Sequence, residues 1–391
     1  MAVASAILVS GQVTAADDEA LVLDLAVIGQ DPRFGGGCLA MTEAFVAGSI
    51  ALGRKPTFFH LAHPTLRRRP LETSIVRTRP LRSFGNIDAL NQVLSARAAT
   101  EVGGARSVWV AATHAACGLA ALRSRRAYGC WIATALEDEW ASRQPGLPAS
   151  RRWALRVNAP VLSRAERAVL RGASLVAVIS PATRASLAHR AGLDEESIRV
   201  IPIPVDTDGF GARIRQTRND EPPVIVFVGR ASDPRKNVPA LVDAFARLRH
   251  SHPGARLRLV GEAPTFALPD GVEATGFVTS VAEELAQATV FALPSLQEGF
   301  GLVVAEALAT GVPVVSTPCG GPEHLLDASG GGIVAGGFSA DDLYASLAEL
   351  LDDNGRLAAM GRAGRAYVER EHAPSVFRTR LADAFAAVDE H

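Results

Sequence analysis

The sequence predicts two doubly wound α/β domains, and three observations predict them. The chain has 391 residues, more than one ordinary core accommodates. Short apolar runs rich in Val and Ile recur in both halves without strict alternation, as strands buried on both faces do. Each run is followed by a loop and a helix-like stretch, the pattern that sets parallel strands beneath crossover helices.

In order along the chain, "MAVASAILVSGQVTAADDEA" (1–20) lacks a basic start and is interrupted by Asp17, Asp18 and Glu19, so it reads as a short extension rather than a signal peptide. The first half then supplies strands at 21–29, 107–112, 130–135 and 174–180. The second supplies strands at 223–229, 256–261, 289–294 and 312–317. Between them, at 200–223, prolines, a glycine and charges replace the periodic pattern. The expected domains are 1–205 and 206–374. Phe377, Leu381, Phe385 and Val388 fall at helical spacing, which predicts an amphipathic helix over 375–391 that packs back on the first domain.

Hydrophobic residues make up 48% of the chain and charged residues 21%, as in a globular protein, and a net charge of −1 gives no global pull towards nucleic acid. Cys38, Cys117, Cys130 and Cys319 are scattered, with no zinc spacing, which points to a reducing, cytoplasmic setting. No run of apolar residues is long enough to span a membrane.

The chemistry is concentrated in "LPSLQEGFGLVVAEALATGVPVVST" (293–317). Pro294, Gly299 and Gly301 predict a tight turn, followed by a helix from Leu302 to Thr310 that Gly311 and Pro313 stop. A helix that opens at the end of a parallel strand turns free N–H groups towards an anion such as phosphate. Glu298 in the loop and Glu306 in the apolar helix are acceptors suited to sugar and ribose hydroxyls. In "FVGRASDPRKN" (227–237), Arg230 and Lys236 bracket a polar loop and could neutralise a diphosphate without a metal. "GQDPRFGGGCLAMTEAFVAG" (29–48) carries Gly36 and Gly37, where backbone amides can approach a ligand closely. Neither it nor "GFGLVV" is a GxGxxG fingerprint, which disfavours a dinucleotide oxidoreductase.

Taken together, E-x7-E at Glu298 and Glu306, "VGRASDPRKN", "VISPATRASL" (178–187) and "IPIPVDTDGF" (201–210) resemble a family 4 glycosyltransferase of the GT-B fold, from about residue 21 onward. The resemblance implies two Rossmann-like domains facing a central cleft. The second would bind a UDP- or GDP-sugar, and the first a small-molecule or glycan acceptor. Transfer would retain anomeric configuration and require no metal or other cofactor. Arg230 and Lys236 would hold the diphosphate, with Gly36 and Gly37 approaching from the facing domain. Phe300, Gly301, Leu302 and Val303 would line sugar and phosphate, Glu298 would contact the donor sugar, and Glu306 would bind the ribose.

One departure concerns the histidine that the family often carries after the strand in "CWIATALEDEW": here Leu136, Glu137, Asp138 and Glu139 follow Thr134-Ala135. His114, at the end of the preceding strand, is the candidate replacement. Glu137 and Asp138 either receive acceptor groups or cap the next helix. "DTD" at 206–208 matches a metal-binding D-x-D but falls in the linker. Arg67, Arg68, Arg69, Arg77, Arg79 and Arg82 crowd a segment whose prolines argue for a solvated loop. With the arginine-rich 151–171 stretch, they leave two alternatives to the main reading open. One is a peripheral-membrane glycosyltransferase with a lipid-linked acceptor; the other, from Leu136, is a sugar-nucleotide-binding protein that has lost catalysis.

Overall fold

The computed structural model of the chain describes residues 23–31, 36–61, 78–81, 98–143, 149–211 and 222–391. The described residues up to Ile203, joined by Ser375–His391, form one compact unit, and Pro204–Pro374 form a second.

The first unit runs β1 (Leu25–Gly29), α1 (Gly36–Ala51), β2 (Pro56–Leu61), β3 (Thr78–Leu81), α2 (Ala99–Gly103), β4 (Ser107–Ala112), α3 (Leu119–Ser124), β5 (Gly129–Ile132), α4 (Leu136–Arg143), α5 (Ala149–Gly172), β6 (Leu175–Val178), α6 (Pro181–Ala191) and β7 (Arg199–Val200). Its sheet is seven-stranded, in the order β3-β2-β1-β4-β5-β6-β7, and every pairing is parallel. The central strands β1 and β4 are buried along their whole length, which is why their sequences are continuously apolar rather than alternating.

The second unit runs β8 (Val224–Arg230), α7 (Val238–Ser251), β9 (Arg256–Glu262), β10 (Val272–Gly276), α8 (Val281–Ala286), β11 (Val290–Leu293), α9 (Leu302–Thr310), β12 (Val314–Ser316), α10 (Gly321–Ser329), β13 (Gly332–Val334), α11 (Ala340–Leu351) and α12 (Asn354–Glu371). Its six strands are ordered β10-β9-β8-β11-β12-β13, again all parallel. The order reverses beside β8, between β9 and β11, and in such sheets the loops that leave the carboxyl ends at this point diverge and leave room for a ligand.

The last helix, α13 (Pro374–Asp389), completes the core of the first unit. Phe377, Leu381, Phe385 and Val388 are all buried, at helical spacing. Phe385 meets Trp109 of β4 edge-on at 5.2 Å and Phe45 of α1 at 5.9 Å, while Phe377 meets Trp131 of β5 at 5.4 Å. Gly48 makes room for this helix, since a Cβ there would lie 2.7 Å from the Phe377 ring. At the rim, Arg54 pairs with Asp389 and lies 5.0 Å above the Phe385 ring.

Several strands escape the apolar-run criterion. β2, β3, β7, β10 and β13 are short or interrupted by polar residues. Arg79 and Pro80, expected in a solvated loop, lie instead in the edge strand β3, where a proline's missing N–H is tolerated, and Arg79 pairs with Glu101 at 3.0 Å. Arg67, Arg68, Arg69, Arg77 and Arg82 lie outside the described residues, as does the 1–20 extension. Among the described residues, no helix is long and apolar enough to cross a membrane.

Phe385→Ala is expected to destabilise the protein by about 3–5 kcal/mol, as truncation of a buried aromatic does. Urea denaturation of parent and variant checks this; a loss well under 1 kcal/mol would show that α13 contributes little to that core.

Candidate active site

Three loops meet at the carboxyl edge of the second sheet. The first follows β8, where Asp233 organises a short 3-10 turn at Pro234–Lys236 by accepting the Arg235 backbone N–H at 3.0 Å. Burial alone would raise the Asp233 carboxyl. Hydrogen bonds from the Arg235 side chain and backbone, with the Arg235 and Arg230 charges, hold it below its ordinary range. Arg230 leans on Asp233 at 3.3 Å but keeps 56% of its side chain exposed, so it remains available to an anion. Lys236 ends the turn.

The second loop, between β11 and α9, carries Glu298. Its Oε1 accepts from Lys236 Nζ at 2.5 Å and from Ser295 Oγ at 2.7 Å. The Leu296 N–H donates to the Arg235 carbonyl at 2.7 Å, so backbone and side chains both tie this loop to the first. The third loop, after β12, is stitched to the second by Glu298 N–H to the Cys319 carbonyl at 2.7 Å and Gly321 N–H to the Glu298 carbonyl at 3.1 Å. Close approach demands glycines here. Gly301 has φ +80°, and a Cβ on it would meet Pro322 at 2.7 Å; a Cβ on Gly321 would meet the Phe300 Cα at 2.6 Å.

Helix α9 opens on Gly301 and closes on Gly311 at φ +81°, with the bounds the sequence predicts. The Val304 N–H donates to the Gly301 carbonyl at 2.8 Å, the Leu302 and Val303 amides before it have no acceptor within the helix, and the positive end of the helix lies at the same edge as Lys236 and Arg230. Leu302 and Val303 are half-buried, and Phe300 is buried with its ring 5.5 Å from that of His372. From Val304 to Thr310 every residue of the helix is buried, Glu306 included at 2% exposure. Glu306 Oε2 finds no hydrogen-bond partner among the described residues, and burial pushes the carboxyl up to about 8. A buried carboxyl with an unused acceptor oxygen suits a polar ligand that brings its own donors.

The remaining expected residues lie in the first unit. Gly36 and Gly37 open α1, and a Cβ on Gly37 would meet open space. His114 precedes a 3-10 turn at Ala115–Gly118, at the end of β4, and is half-buried. Glu137 and Asp138 fall in the first turn of α4, where Arg190 of α6 engages both and Ser186 donates to Asp138. Asp206 accepts the Gly209 N–H at 3.0 Å and shapes a turn, and among the described residues no group of three or more His, Cys, Asp or Glu converges as a metal would need.

Sequence reading missed Glu166. This buried acid of α5 accepts the N–H groups of Ala115 at 3.2 Å and Leu136 at 3.2–3.3 Å, joining the segments that follow β4 and β5. Burial raises it to about 7, against those amides, with Glu137 and Glu139 adding to the rise. In "SRAERAVLRG" it reads as a solvated helix acid, and nothing in its spacing signals otherwise. Asp233 and Ser295 were legible in principle, from a capping Asp before Pro and a Ser just past a strand.

A model described as glycosyltransferase family 4 matches residues 47–208, and one described as glycosyl transferases group 1 matches residues 222–353. A GDP-mannose-dependent alpha-(1-6)-phosphatidylinositol monomannoside mannosyltransferase of Mycobacterium tuberculosis is 33% identical, over 57% of this chain and 64% of its own length. A D-inositol 3-phosphate glycosyltransferase of Segniliparus rotundus is 34% identical, over 45% of this chain and 44% of its own. The chain thus spans less than two thirds of these relatives. In structure it is similar to Anabaena Alr3699/HepE in complex with UDP, with TM-score 0.73 and 19% identity, covering 93% of this chain and all of that one (100%). It is also similar to sucrose-phosphate synthase from Thermosynechococcus elongatus, with TM-score 0.72 and 20% identity, covering 93% and 98%. Both likenesses establish the fold as GT-B.

Glu306 generates a pH prediction. An unfolded carboxyl titrates near 4.5 and the folded one near 8, so between these values the folded chain holds a proton that the unfolded chain has released. Stability from this group is full below pH 4.5 and is lost as pH rises through 8. Glu166 adds a slope of the same sign up to about 7. Glu306→Gln is expected to flatten the decline, most clearly between pH 7 and 8; urea midpoints that fall equally steeply in parent and variant would refute this.

Proposed function

The chain belongs to glycosyltransferase family 4, and from that premise we propose that it moves a sugar from a nucleoside-diphosphate donor to an acceptor hydroxyl, with retention at the anomeric carbon. The observation that carries this reading is the meeting of Lys236, Glu298 and the opening of α9 at one sheet edge, with the unsatisfied Glu306 carboxyl inside the helix. In this reading Arg230 and Lys236 take the diphosphate, and the first amides of α9 add their dipole to it. Glu306 accepts a ribose hydroxyl and Glu298 a hydroxyl of the donor sugar.

As the bond from the anomeric carbon to phosphate breaks, its electron pair leaves with the diphosphate. Cations and dipoles fixed beforehand stabilise charge where it develops, which lowers the barrier without a protein nucleophile. The acceptor oxygen attacks from the face the leaving group vacates, and its proton passes to the departing phosphate. No divalent ion is required. The acceptor is a small molecule or glycan bound by the first unit, with His114 beside it. Glu137 and Asp138 serve it indirectly, by holding α4 to α6. A cytoplasmic setting is supported by the four scattered cysteines, whose spacing suggests no disulfide framework.

The names of the relatives make GDP-mannose the first donor to test, beside UDP-glucose, and inositol compounds the first acceptors. Lys236→Ala and Arg230→Ala are each expected to weaken nucleoside-diphosphate binding by roughly 1.5–3 kcal/mol, the range for hydrogen bonds to charged groups. Calorimetry showing parent affinity in both variants would remove the donor-site assignment. Glu298→Gln is expected to bind the diphosphate nearly normally yet lose turnover by about tenfold or more, roughly 1.4 kcal/mol in the barrier. Parent turnover in that variant would deny Glu298 a catalytic role. Donor binding without any transfer would instead favour a sugar-nucleotide-binding protein. Activity is expected to survive EDTA, and a restorable divalent requirement would overturn the metal-free mechanism.

A further inference from the structure

Helix α5 buries one face and leaves the other bare. Leu162, Ser163, Glu166, Val169 and Leu170 turn into the first unit. On the opposite face Trp153, Val157 and Val161 stand at successive i, i+4 positions, 69%, 55% and 44% exposed. These three cover about 12 Å of helix at 1.5 Å per residue. Over the next three turns the same face carries Arg164, Arg167 and Arg171, all exposed, and Arg152 and Arg156 flank the apolar stripe. Arg167 and Arg171 each direct one Nε to a carbonyl, of Ser163 at 3.2 Å and Ala191 at 2.8 Å, which fixes their stems while the heads stay in solvent. The one acid in the helix, Glu166, points inward and is engaged by backbone amides.

We propose that α5 is an interfacial helix by which this chain docks on an anionic lipid surface. An exposed tryptophan with two aliphatic side chains suits the boundary between headgroups and acyl chains, and arginines on the same face suit lipid phosphates. Charge decides against a second copy of the same face, since it would set arginine against arginine with no exposed acid to separate them. The helix lies on the surface rather than crossing it, because its opposite face is already committed to the fold. The proposal is independent of the donor site, so failure of either leaves the other standing.

The test uses the full chain with vesicles of phosphatidylcholine alone or mixed with phosphatidylglycerol, read by co-sedimentation at low and high salt. Binding is expected to the anionic vesicles only and to weaken with salt. Arg164→Gln and Arg167→Gln should each loosen it about fivefold, the equivalent of 1 kcal/mol per arginine near the surface. Trp153→Ser with Val157→Ser should loosen it at least as far with an unchanged melting temperature, because both side chains are exposed. Trp109 and Trp131 are fully buried and Trp140 is half-buried against Ala116, Leu136 and Leu162, so brominated lipid should quench Trp153 above all, and Trp153→Phe should keep binding while losing most of the quenching. No binding, equal binding to neutral vesicles, binding indifferent to all four substitutions, or a dimer in solution that these substitutions disperse would each overturn the proposal.

Discussion

The contact between Lys236 and Glu298, 62 residues apart, sets the geometry of the second unit's functional edge. It can exist because every strand of that sheet runs the same way, so the loops after β8, β11 and β12 all emerge at one edge. Opposite charges then fix the first two loops side by side, and Ser295 takes part of the remaining hydrogen-bonding capacity of the acid. The third loop closes on the second through backbone hydrogen bonds at distances that glycine alone allows at 301 and 321. A lysine held by a carboxylate is poised rather than spent. In the function we propose, an incoming diphosphate would offer it a second, more highly charged partner while the carboxylate would become free to accept a sugar hydroxyl.

Three carboxyls show how surroundings divide one chemistry into different roles. Glu298 has a cation and a hydroxyl. Glu166 has two backbone amides and no cation, and burial lifts it to about 7. Glu306 has neither for one of its oxygens and rises to about 8, so near neutral pH it is mostly protonated until a ligand rewards the charged form. The second is a brace between loops; in the function we propose, the first is a site group held ready and the third a receptor whose charge state would depend on what occupies the site.

Much of this was legible in the sequence. The long buried strands announced themselves because burial on both faces leaves continuous apolar runs, and α9 was framed by a glycine at each end. The E-x7-E spacing was likewise visible, since an acid inside so apolar a helix demands a polar explanation. What stayed hidden follows from physics too. β3 contains Arg79 and Pro80, and an edge strand needs only one paired side and little burial. Glu166 looks like any helix acid because its partners, Ala115 and Leu136, come from elsewhere in the chain. The engagement of Glu137 and Asp138 by Arg190 depends on tertiary placement that no local pattern encodes.

The placement of α13 carries a consequence for biosynthesis. Phe385 and Phe377 seal Trp109 and Trp131, yet they are translated only after the whole of Pro204–Pro374. At 5–20 residues per second that intervening unit takes roughly 10–30 s to make. During that interval the nascent first unit holds two large aromatic surfaces without their cover, while the second unit can fold as soon as it leaves the ribosome. The half that is made first is therefore the half that is finished last, and its exposed tryptophans are the surfaces a chaperone would meet on the growing chain.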